Sequence, residues 1–69
     1  MVAWVEVPYD VKREGEWVEL DVRAVIAGSL DIYDIIDVEK GATWIGELTD
    51  REYSEVRNKV IDKAYERRD

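Results

Sequence analysis

From Ala3 to Val11 the chain alternates strictly. Ala3, Val5, Val7, Tyr9 and Val11 share one side, while Trp4, Glu6, Pro8 and Asp10 share the other. A period of two sends successive side chains to opposite faces of an extended backbone, so this segment reads as a strand with one buried face. Pro8 has no N–H to give to a ladder, which places the strand at a sheet edge. The alternation resumes over residues 17–26. Val18, Leu20, Val22, Ala24 and Ile26 take the apolar side, and Trp17, Glu19, Asp21 and Arg23 take the other. Between the two segments, Arg13-Glu14-Gly15-Glu16 reads as a turn. A loop over those residues pairs Lys12 with Trp17 and sets the register of a hairpin. Tyr9 then faces Leu20 and Val7 faces Val22 on the apolar side. Glu6 falls opposite Arg23 on the polar side, a favourable cross-strand pair.

Gly28-Ser29 marks the next turn, and the stretch DIYDIIDVEK (residues 31–40) follows. Read as a strand, Leu30, Ile32, Ile36 and Val38 share a face that Asp34 interrupts. Read as a helix capped by Ser29, the segment lines up Asp31, Asp34 and Asp37, but Leu30 and Val38 then sit among the acids. The β-branched content favours the strand over 30–38. Further on, Thr49-Asp50-Arg51-Glu52 fits a capping box, and Leu48 with Tyr53 fits the hydrophobic staple that accompanies it. Tyr53, Val56, Val60, Ile61 and Ala64 recur at helical spacing. Acids gather at the start of this element and Lys63, Arg67 and Arg68 at its end, as the helix dipole favours. A helix from about Asp50 to Arg67 is predicted. The fold class is therefore α+β, one domain over residues 1–69: a three-stranded antiparallel β-meander with one C-terminal α-helix on its apolar face.

Composition narrows the chemistry. There is no Cys and no His among the 69 residues. Disulfides, thiol nucleophiles and the commonest general base and metal ligand are thus excluded. No nucleophile stands beside a recognisable base, and no Gly-rich phosphate loop is present, so the chain reads as a non-enzyme without cofactors. Acids outnumber bases 17 to 10, for a formal charge of −7. That balance argues against direct nucleic-acid binding, which needs a basic footprint. No apolar run nears the ~20 residues of a membrane span. The N-terminus lacks the basic start and apolar centre of a signal peptide, so a soluble cytoplasmic protein is the expectation.

Three constellations remain. Asp31, Asp34, Asp37 and Glu39 offer oxygen ligands, but their spacing does not match a calcium loop, and a strand sends Asp34 away from Asp31 and Asp37, so no metal site is assigned. Arg57 sits within the apolar arc of the helix and Asp34 within the apolar side of the third strand, which suggests a structural ion pair between the two misfits. The outward sheet face is expected to carry Trp4, Trp17, Val25, Tyr33 and Ile35, together with Glu6, Asp10, Glu19, Asp21, Asp31 and Asp37. Aromatics on an uncovered face are what protein interfaces use. Trp4, Trp17, Tyr33, Ile35, Asp31 and Asp37 are therefore the interface candidates, for a partner protein or for a homodimer. The acids on the same face support an alternative, mimicry of nucleic acid that blocks a basic groove.

The strands-then-helix layout, the acidity and the helix start Leu48-Thr49-Asp50-Arg51-Glu52-Tyr53 resemble a group of small, mostly uncharacterised phage-encoded proteins. The similarity is strongest over residues 45–66. It implies an accessory protein acting in a bacterial host cytoplasm on a host defence or regulatory protein, and it implies no catalytic residues.

Overall fold

The computed structural model describes residues 2–65. Three strands, β1 (Ala3–Arg13), β2 (Glu16–Ile26) and β3 (Leu30–Asp37), form one antiparallel sheet in the order β1-β2-β3, and one helix, α1 (Asp50–Tyr65), follows. The βββα layout is the one the hydrophobic pattern predicts. The predicted continuation of the helix to Arg67, and the basic residues Arg67 and Arg68, lie outside the described residues.

The β1–β2 register matches the pattern pair for pair: Lys12 opposes Trp17, Tyr9 opposes Leu20, Val7 opposes Val22 and Glu6 opposes Arg23. The turn itself is tighter than expected. Arg13 pairs with Glu16, leaving Glu14 and Gly15 alone at the tip with φ of 54° and 80°. Two consecutive left-handed residues twist the turn in the sense that suits paired strands, and glycine at the second position removes half of the steric cost. Pro8 lies on β1, an edge strand, as its missing N–H requires.

The third strand departs from simple alternation. Pairing slips between Arg23 and Ala24: Arg23 opposes Asp34, but Ala24 opposes Ile32, so Tyr33 is an extra residue on β3. This bulge reverses the phase of the rest of the strand. Leu30 and Ile32 face the core before it, and Ile35 and Asp37 face the core after it. The physical reason is the pair of side chains at stake. Strict alternation would bury the Asp34 carboxylate and expose Ile35. The bulge buries Ile35 completely and leaves Asp34 outside. Burying an isoleucine is worth roughly 2–3 kcal/mol, and an unpaired buried carboxylate costs more than that. Val38, expected on the core side, is exposed for the same reason.

The core is built from Val5, Val7, Tyr9 and Val11 of β1, Leu20, Val22 and Ala24 of β2, Ile35 of β3, and Val56 and Val60 of α1. The helix packs chiefly along β1. Leu48 is buried just before the helix, while Trp44 and Tyr53 pack partly against the same cluster. Ile61, expected in the apolar arc, is exposed. The buried stripe runs through Val56 and Val60, and Ile61 falls on its flank.

Candidate functional site

The inward side is closed by polar contacts between β1 and the helix. The capping box forms in both directions: Thr49 N–H donates to Glu52 Oε1 (2.9 Å), and Glu52 N–H donates to Thr49 Oγ1 (3.1 Å). Arg13, next in the inward series after Tyr9 and Val11, reaches the same carboxylate with two parallel bonds. Its Nη1 donates to Oε2 (2.9 Å) and its Nη2 to Oε1 (2.7 Å). The Arg13 guanidinium and the Thr49 amide together hold the Glu52 carboxyl down at about 2. The same guanidinium lies over the Trp44 ring at 5.5 Å. One turn further along the helix, Tyr9 O–H donates to Glu55 Oε1 (2.6 Å). Burial first, and this bond to a carboxylate second, push the phenol up to about 12. These groups are satisfied by one another and hold the helix on the sheet. The sequence expectation missed them, although Arg13 falling in phase with Tyr9 and Val11 is a legible signal.

The opposite face of the sheet is different. Cross-strand register arranges its side chains in rows. Trp4, Val25 and Asp31 form the first row. Glu6, Arg23 and Asp34 form the second, with the bulged Tyr33 beside it. Pro8, Asp21 and Ile36 form the third, Asp10 and Glu19 the fourth, and Lys12 and Trp17 the last. Trp4 and Tyr33 meet edge to face across β2, with ring centroids 5.7 Å apart and planes at 82°. Trp4 is 70% exposed and Trp17 69%. Trp4 and Tyr33 together form a contiguous exposed aromatic patch at one end of the face, and Trp17 stands at the other end.

Both cations of this face are engaged locally. Arg23 Nε lies 3.2 Å from Asp21 Oδ2 and 3.4 Å from Glu6 Oε2, and Lys12 Nζ lies 5.6 Å from the centroid of the Trp17 ring. Asp10 and Glu19 oppose each other directly, and among the described residues neither makes an ion pair.

Trp4, Trp17, Tyr33 and Asp31 thus occupy the exposed face expected of them. Two interface candidates do not. Ile35 is fully buried in the core, because the bulge turns it inward. Asp37 is also buried, and its Oδ1 accepts the Glu39 and Lys40 amides (2.9 and 3.0 Å), closing the turn that ends β3. The expected Asp34–Arg57 pair does not form. Asp34 points outward, where its Oδ1 accepts the Ile35 amide (2.9 Å) and the Thr43 hydroxyl (3.2 Å). Arg57 is exposed on the helix, with no ion pair among the described residues.

Comparison with protein-family models, with curated proteins and with solved structures finds no match to this chain. Among the described residues, no group of three or more acids is placed to hold a metal ion, and no helix is long and apolar enough to cross a membrane. An open groove between β1 and the C-terminal half of α1 is lined by Val7, Pro8, Lys59, Asp62 and Lys63. It opens at the β1 edge of the sheet, where Val7 and Pro8 meet the helix residues Lys59, Asp62 and Lys63.

Proposed function

We propose that this protein is a non-enzymatic interaction module that docks a partner protein through its outward sheet face. One observation carries the reading: Trp4 and Tyr33 form an ordered aromatic pair on a sheet face that also exposes Trp17. Aromatic side chains lose little entropy when fixed and bury large areas, which is why they anchor interfaces. A packed pair is already ordered before a partner arrives. The resemblance to phage-encoded proteins supports a host protein as partner, in the bacterial cytoplasm.

A second reading has its own support. The same face carries Glu6, Asp10, Glu19, Asp21, Asp31 and Asp34 against Lys12 and Arg23. Such a surface can mimic nucleic acid and occupy a basic groove. The two readings differ in what holds the complex. Capture from host lysate on immobilised protein, compared between wild type and the Trp4→Ala/Tyr33→Ala double variant at low and high salt, separates them. Docking on aromatics predicts that the double variant loses the partner at low and high salt alike. Mimicry predicts retention by the variant and steep loss with salt. Equal capture by both proteins at both salt levels would contradict both readings.

A further inference from the structure

We propose, resting on the docking reading above, that the partner presents a basic surface. Its arginine or lysine side chains would seat on the open ring of Trp4 and between Asp10 and Glu19, and a second copy of this chain is not the occupant.

Charge complementarity carries this. The outward face holds six carboxylates (Glu6, Asp10, Glu19, Asp21, Asp31 and Asp34) and two cations, Lys12 and Arg23. Arg23 is already shared between Glu6 and Asp21, and Lys12 already lies over Trp17. A two-fold contact of this face with itself would set acids against acids, which costs rather than stabilises.

The Asp10–Glu19 pair adds an independent argument. Like charges directly opposite in an antiparallel pair are destabilising; Lys12 in the next row is turned over Trp17, and no cation among the described residues forms an ion pair with either carboxylate. A cation from a partner, placed between the two carboxylates, would turn that cost into attraction. The Trp4 end is built for the same kind of guest. Its ring meets Tyr33 edge to face and remains 70% exposed. By register, Glu6 follows it on β1 and Asp31 shares its row. An exposed indole with a carboxylate in its own row and another next along its strand favours a cation over its face. The chain makes this contact internally at Lys12–Trp17.

The probe is an arginine–glycine repeat peptide, with lysine–glycine and glutamate–glycine peptides of equal length. The readout is the indole N–H resonances of Trp4, Trp17 and Trp44 in the full chain. The arginine peptide should move the Trp4 and Trp17 signals saturably and leave Trp44 in place, the lysine peptide should do so more weakly, and the glutamate peptide should not. Asp10→Asn/Glu19→Gln should weaken the arginine peptide several-fold while raising the thermal midpoint of the unbound protein. Trp4→Ala should weaken it without that gain. Equal response to the glutamate peptide would overturn the inference, as would arginine-peptide binding indifferent to Trp4→Ala. A concentration-dependent dimer abolished by Trp4→Ala/Tyr33→Ala would overturn it too, while sparing the docking reading. Silence of Trp4 and Trp17 toward every peptide, together with unchanged lysate capture by the double variant, would remove both.

Discussion

Glu52 accepts from three donors at once: the Thr49 amide and both terminal nitrogens of Arg13. A carboxylate held this way favours its charged form in the folded state. Its contribution to stability is present above the ordinary value of 4.5 and is lost as pH falls toward about 2. Glu52→Gln should therefore flatten the acid limb of the stability profile in that window, as read by denaturant titration at successive pH values. Tyr9 works in the opposite direction. Its folded state favours the neutral phenol, so its contribution is complete below 10.0 and lost as pH rises toward about 12. Tyr9→Phe should remove that alkaline loss. Neighbouring residues on β3 have contrasting roles. Ile35→Ala empties a fully buried site and should cost about 2–5 kcal/mol. Asp34→Ala loses only a partly buried bond to Ile35 N–H and an exposed one to Thr43, and should cost about 1 kcal/mol. Arg57→Ala should be near neutral, within about 0.5 kcal/mol. A coupled loss in Asp34→Ala and Arg57→Ala would contradict this assignment.

The elements differ in how openly the sequence shows them. The β1–β2 hairpin was legible because two long alternating runs and a short turn agree on one register. The helix start was legible because Thr49, Glu52, Leu48 and Tyr53 each fill a defined position in one motif. The bulge at Tyr33 was less so, since no glycine marks it. Its signal is the phase break itself: Ile32 and Ile35 lie three apart, and only an extra residue lets both face inward. Unbroken alternation would put Asp34 inside, within reach of Arg57, and Ile35 and Asp37 outside; the extra residue reverses all three. A single-residue deletion tests the bulge. Deleting Tyr33 removes the extra residue and leaves Ile32 and Ile35 both inward on a regular strand. The deletion should retain cooperative unfolding and cost only about 1–2 kcal/mol, in part from the lost contact with Trp4. Deleting Ile36, which would pull Asp37 out of phase, should cost more. Loss of cooperative unfolding on deleting Tyr33 would show that the bulge is required rather than accommodated.

At the scale of the molecule, the two sides of the sheet are finished in different ways. Beneath it, α1 covers the core, and Arg13, Tyr9, Glu52 and Glu55 satisfy one another. Above it, aromatic surface stays in water beside acids that outnumber their cations. The candidate site was partly visible in the sequence: Trp4, Trp17, Tyr33 and Asp31 are where alternation put them, while Ile35 and Asp37 belong to the fold. The direct opposition of Asp10 and Glu19 was implicit in the hairpin register and draws meaning from the absence, among the described residues, of an ion pair to either carboxylate. The helix side offers a rival surface in Ile61, Tyr65 and the groove beside Lys59 and Lys63. Oxidative footprinting of the three tryptophans and Tyr65, before and after loading the captured partner, decides between the two sides. Docking on the outward face predicts protection of Trp4 and Trp17 with Trp44 unchanged; Trp4 and Trp17 left open while Tyr65 becomes protected would contradict it.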